Sequence, residues 1–230
     1  MLGEVIFPLI FTAKVAAVTL AMHGVFGLAI GYYLGTKSSP LRSLVDVVVT
    51  LPLVFPPIAL GFLLLLLLGK AGAIGQILNS AFGVELIFNF WGVVVAAFIA
   101  GLPLVVKPIQ AAVQSTAVSL IEASYTLGKS ETQTFLFVVV PTIRKSIAGG
   151  LSLAFGRSLG EVGLTLMLGG NIVGKTNTMS LEIYNSVFTG EFERASVLAA
   201  ILGMVSLFIL IALKAMFTHK NSRERRLSNL

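Results

Sequence analysis

The chain has 230 residues, 56% of them hydrophobic and only 11% charged. A soluble domain carries about a quarter charged residues, so this composition belongs to an integral membrane protein. The net charge of +6 does not point to nucleic acid, because the basic residues gather in loops beside apolar runs and form no basic-aromatic surface. Cysteine is absent, which excludes disulfides and cysteine-ligated metal.

Spanning the hydrocarbon core takes about twenty mostly apolar residues in a helix, and five stretches qualify. The first, Ile6 to Leu34, exceeds the length of one crossing, so the residues near Pro8 are expected to form an interfacial lead-in, with Lys14 reaching outward. Glu4 precedes this run and no basic segment does, unlike a cleaved signal. His23 lies within it, and the two readings are a packed, hydrogen-bonded imidazole and a proton relay. After the basic turn Thr36 to Arg42, the second stretch, Leu44 to Leu68, contains Pro52, Pro56 and Pro57. Missing donors and ring clashes rule out a regular helix in its first half, leaving a static kink or a hinge lining a pathway. Gly69 to Phe90 reads as an outer loop with one amphipathic turn series, and Trp91 to Val106 is the third span.

A polar stretch then interrupts the membrane pattern at about residues 115–141. Leu120 to Leu127 suits about two helical turns with a small-residue patch at Ala123 and Ser124, where a partner's surface can approach the backbone. Gly128 suits a helix C-cap, where positive φ carries little penalty. The run Val138 to Pro141 fixes how the chain re-enters the membrane. An ordinary capped surface helix would satisfy the first half of this pattern. The whole of it, Glu122, Ala123, Ser124, then Gly128, then an apolar-x-apolar-Pro ending at Pro141, resembles the E-A-A loop of permease subunits of binding-protein-dependent ABC importers. Ser124 stands where that family usually has a second Ala. The resemblance implies that this loop docks on a cytoplasmic ATPase and relays its movements to the membrane helices.

The fourth stretch, Ile147 to Leu168, contains Arg157 and Glu161, four apart and so on one helix face. An unpaired charge near the membrane centre costs about 2.5–3.5 kcal/mol on insertion scales. The pair reads as a buried ion pair that fixes the bundle, or as Arg157 at the wall of an anion path with Glu161 orienting it. Gly169 to Thr178 is a Gly/Asn/Thr loop leading into an amphipathic Leu181 to Phe188, and Ala195 to Phe217 is the fifth span, followed by a basic tail at 218–230. With the Leu51 to Pro57 run and the Arg157 to Gly163 block, the Gly169 loop is similar to that of bacterial molybdate importer permeases. Sulfate permeases share a related layout.

On this topology eleven of the 16 Lys and Arg fall on the C-terminal side, and only Lys14, Lys70, Lys175 and Arg194 fall opposite, with Arg157 inside a span. The positive-inside rule then puts the N-terminus outside and the 115–141 loop and the tail in the cytoplasm. No Walker loop, zinc signature or nucleophile elbow occurs, so ATP hydrolysis is expected in a separate subunit, with no catalytic residue, metal or cofactor here.

The expected fold is therefore an all-α integral membrane protein of about five transmembrane helices in one permease domain, 1–230. The resemblance implies the type I ABC importer permease fold, the prokaryotic plasma membrane, a homodimer, two cytoplasmic ATPases and an extracytoplasmic oxyanion-binding protein as partners. The cargo it implies is molybdate, with tungstate or sulfate on the same machine as the alternative. A membrane anchor or secondary transporter is the rival from another class.

Overall fold

The structure is a computed structural model that describes the backbone of residues 2–218 and the side chains of residues 5–115 and 118–212. Residues 219–230 of the expected basic tail, with Lys220, Arg223, Arg225 and Arg226, lie outside the described residues, as does the Lys214 side chain. Among the described residues all regular structure is helical. Three helices among the described residues are long and apolar enough to cross a membrane: Val5–Thr36, Phe90–Ser115 and Phe192–Ala212. Two bent pairs, Pro57–Leu68 with Ala73–Phe82 and Glu131–Thr142 with Arg144–Leu159, raise the number to five if each is one span.

The first crossing comprises α1 (Leu2–Met22), a π-helical turn at His23–Gly27 and α2 (Leu28–Thr36). The stretch expected as one span at Leu44–Leu68 is two helices, α3 (Pro40–Val54) and α4 (Pro57–Leu68). Phe55 and Pro56 between them have ψ of 140° and 130°, because each precedes a proline whose ring excludes the helical conformation. Pro52 is tolerated inside α3, and Pro57 opens α4, where its missing N–H is needed by no helical partner. α5 (Ala73–Phe82) follows, then the long α6 (Phe90–Ala112), begun by Asn89, whose side chain accepts from the amides of Trp91 and Gly92.

α6 is the centre of the bundle and packs against α1, α2 and α3 as well as two later helices, α10 (Arg144–Leu159) and α11 (Gly163–Gly169). Its Val93, Val94, Ala96, Ala97, Ala100, Val105, Val106 and Ile109 are all buried. Close approach to the first crossing rests on a glycine stripe. A Cβ at Gly27, Gly31 or Gly35 would sit 2.7, 2.6 and 2.6 Å from Val105, Ile109 and Val113 respectively. Both sets repeat every fourth residue, so three glycines of one helix receive three branched side chains of the other. Gly101 plays the same part for His23, whose Cε1 would lie 2.6 Å from a Cβ there. His23 is fully buried, stacked on Phe98, with Nε2 2.9 Å from the Phe98 carbonyl oxygen.

The stretch expected as a continuous span at Ile147–Leu168 is also broken. α10 ends at Leu159, Gly160 to Val162 are not regular helix, and α11 begins at Gly163. α12 (Met179–Phe188) starts two residues before the expected Leu181, capped by the Thr178 side chain, and α13 (Phe192–Thr218) is the last crossing.

Candidate functional site

Between α6 and α10 the chain makes a π-helical turn at Val113–Ala117, α7 (Val118–Thr126), α8 (Glu131–Thr134), a second π-helical turn at Phe135–Val139 and the short α9 (Val140–Thr142). α7 ends where the sequence dictates. Gly128 has φ +75°, its N–H donates to the Tyr125 carbonyl at 2.9 Å, and the Lys129 N–H donates to the Ser124 carbonyl at 3.1 Å. Those two bonds are the Schellman closure, and only a residue without a Cβ adopts that φ cheaply. Two residues on, Ser130 and Gln133 form a reciprocal capping box that starts α8. The turn between the two helices is therefore bonded on both sides.

α7 has an inner and an outer face. Ile121 is buried among Val113, Val139 and Ile143, which tie the segment to the cluster around Val105 and Ile109 of α6. Ser124 is buried as well, and its Oγ lies 2.7 Å from Thr134 Oγ1, pinning α7 to α8. Glu122 and Ala123 are exposed, and Leu127 is 79% exposed. The segment is also fastened to the end of the first crossing: the Tyr32 ring meets the Phe135 ring edge-on at 4.8 Å, and Lys37 Nζ is 3.3 Å from Glu131 Oε1. The last pair is open to solvent and contributes little. Pro141 is exposed within α9, next to Ile143, where the chain bends by 74° into α10.

Arg157 and Glu161 are in contact, Nη1 to Oε2. Their environments differ: the Glu161 side chain is 1% exposed and that of Arg157 is 35% exposed. Glu161 Oε1 also accepts from the Leu164 amide at 2.8 Å, and its carbonyl accepts from Thr165 Oγ1 at 2.5 Å, so this carboxylate builds the first turn of α11. Pro52, Pro56 and Pro57 lie well away from the 118–134 segment in sequence, at the α3–α4 junction, and Pro57 touches the space a Cβ at Gly163 would fill. The structure thus groups the expected residues in three places rather than one. The Gly169 to Thr178 loop is bonded to itself: Thr176 Oγ1 donates to the Gly169 carbonyl at 2.7 Å, and Asn177 Oδ1 accepts from the Gly174 amide. Asn177 also donates to Glu182, which Arg194 meets at 2.6 Å. Sequence reading missed this Glu182–Arg194 pair, and it missed Thr134 and Tyr32, because each depends on a partner from another element.

A helical bundle of several crossings, interrupted by an exposed, capped helix pair fixed to its central helix, defines a membrane permease subunit of the type I ABC importer fold. The family model described as "Binding-protein-dependent transport system inner membrane component" matches residues 27–225. The chain belongs to that family, as a multi-pass protein of the inner membrane. It is 37% identical over 202 residues to the "Molybdenum transport system permease protein ModB" of Azotobacter vinelandii, covering 88% of this chain and 89% of that protein. It is 36% identical over 178 residues to the "Probable transport system permease protein NifC" of Clostridium pasteurianum, covering 77% of this chain but 62% of that longer protein. To the "Sulfate transport system permease protein CysT" of Salmonella typhimurium it is 31% identical over 205 residues, covering 89% of this chain and 74% of the relative.

Proposed function

We propose that this chain is the permease subunit of an ATP-driven importer of molybdate, working as a homodimer with two cytoplasmic ATPase subunits and an outer oxyanion-binding protein. The observation that carries the reading is the α7–α8 pair: an exposed surface of Glu122, Ala123 and Leu127 on a helix whose other face is packed into the bundle core through Ile121. Force applied to such a surface moves the helices beneath it rather than deforming a loop. Excess Lys and Arg on that side supports a cytoplasmic placement, with the N-terminus outside and the C-terminus inside. Molybdate is preferred to sulfate as cargo because the molybdenum permease relative is 37% identical and the sulfate permease relative 31%. Tungstate or sulfate on the same machine is the second reading, since sulfate permeases match across most of the chain.

In this proposal Arg157 and Glu161 serve the bundle first, because Glu161 shapes the α10–α11 turn. The α3–α4 break at Pro56 is the hinge. A cavity between α1, α6, α10, α11 and α12, edged by Thr12, Ser158, Thr165 and Thr178, measures about 10 Å³, room for one water rather than an oxyanion. In the proposed homodimer the path runs between two copies of the chain. The test is co-purification of the cytoplasmic ATPase with the tagged, detergent-solubilised full chain. Wild type retains the ATPase, and Glu122→Lys and Gly128→Leu lose it while remaining monodisperse. Retention by both variants would overturn the docking assignment.

A further inference from the structure

The Gly69 to Phe90 stretch reads in sequence as an outer loop with one amphipathic turn series, and α5 supplies that helical part. Lys70 Nζ and Glu85 Oε1, which flank α5 on either side, are 2.9 Å apart. The chain that leaves α4 at Lys70 has therefore returned to the same level by Glu85, so the segment between them does not carry the chain across the bilayer and α5 is not the second half of a span begun by α4. The 43° bend between α4 and α5 is enforced by glycine: a Cβ at Gly75 would lie 1.9 Å from the Gly69 carbonyl oxygen, and one at Gly72 would lie 2.2 Å from that of Leu66. α5 is thereby pressed against the end of α4 on the side of the bundle opposite α7, since α6 runs from this level at Phe90 to the 113–117 turn.

Three faces can be distinguished on α5. Gly75 is buried against the α4 end, Gln76 and Ser80 are exposed, and Ile74, Ile77 and Ala81 form a separate stripe that is also exposed, Ile77 at 63%. Residues spaced by three and four share a helix face, so the apolar stripe lies neither on the protein nor with the polar groups. The helix carries no charged residue, and the only Trp, Trp91, stands exposed at the start of α6 on the same level, where amphipathic rings mark a membrane boundary. α4, against whose end α5 packs, also exposes Phe62, Leu63 and Leu66.

We infer that α5 is an interfacial helix that lies along the outer leaflet, with Ile74, Ile77 and Ala81 in contact with lipid and Gln76 and Ser80 in water. The occupant of the stripe is lipid rather than a second copy or a soluble partner. Its role follows from its attachment: it holds the α4 end at the level of the membrane surface.

The cysteine-free sequence makes the test direct. Single cysteines at Ile77, Ala81, Gln76 and Ser80 are labelled with a nitroxide in the full chain, reconstituted in phosphatidylcholine–phosphatidylglycerol vesicles. Collision rates with oxygen and with a water-soluble nickel chelate are then measured. The oxygen-to-nickel ratio is expected to be about threefold or more higher at 77 and 81 than at 76 and 80, as for a helix half-sunk in the interface. Equal ratios at all four sites would overturn the inference by placing the stripe in water. Low collision with both reagents at 77 and 81 would overturn it in favour of protein cover.

Discussion

The Oγ of Ser124 and the Oγ1 of Thr134 lie 2.7 Å apart, both buried, and join α7 to α8 across the Gly128 turn. The position at which related loops usually carry Ala is here a hydroxyl with its own partner. Ser124→Ala leaves the Thr134 hydroxyl buried without it, at a cost of about 1–3 kcal/mol. The double change Ser124→Ala with Thr134→Val removes both polar groups and should cost less than the single one. Thermal unfolding of the solubilised chain reads this. A double variant no more stable than Ser124→Ala would show that the pair is incidental.

Gly31 faces Ile109 so closely that a Cβ would lie 2.6 Å from its Cγ2 and 3.2 Å from the Val106 carbonyl oxygen. Ala is the better helix former by about 1 kcal/mol, so propensity alone favours Gly31→Ala. Overpacking costs about 1–3 kcal/mol and should win, giving a net loss of stability. Gly203, in α13 with no atom within 4 Å of its Cβ position, is the control, and Gly203→Ala should be neutral or stabilising. Unfolding midpoints of both variants separate the two effects.

The Arg157–Glu161 pair should respond asymmetrically. Arg157→Leu strands a carboxylate whose side chain is 1% exposed, and breaking a buried pair in this way costs about 3–5 kcal/mol. Glu161→Gln keeps an oxygen for the Leu164 amide and leaves an arginine that is already 35% exposed rather than a fully buried charge, so it should cost less. Combining Arg157→Leu with Glu161→Gln should recover part of the loss. Thermal stability of the three variants is the measurement, and equal losses for the two single changes would contradict the asymmetry.

What was legible in the sequence was local. The first, third and fifth crossings follow from uninterrupted apolar runs, and Gly128 marks the end of α7 because positive φ has few other solutions. The break at Pro56 follows equally from ring sterics. What stayed hidden depends on a second element. Ile147 to Leu168 reads as one apolar run, and only the Leu164 amide received by Glu161 shows why it divides. The spacing of Gly27, Gly31 and Gly35 is visible, but nothing nearby announces that Val105, Ile109 and Val113 fill the groove. Lys37 and Glu131, 94 positions apart, give no sequence signal of their contact.

Gly128→Leu forces a branched residue to φ +75°, which costs about 1–2 kcal/mol for the left-handed backbone. The Schellman closure should loosen before the bundle does, because the bundle core sits elsewhere around α6. Limited proteolysis should therefore cut this variant within 126–130 while wild type resists. Uncut loops in both would show that the turn tolerates the strain.

In the proposed function, the surface carrying Glu122 and Ala123 converts ATP hydrolysis in a separate subunit into anion movement through this chain. The most direct measurement reconstitutes the full chain with its ATPase in vesicles, supplies the oxyanion-binding protein on the outer side, and follows molybdate entry by elemental analysis beside ATP hydrolysis. Uptake is expected to require ATP and the binding protein and to be lost in Glu122→Lys. Uptake at a comparable rate without ATP would contradict it.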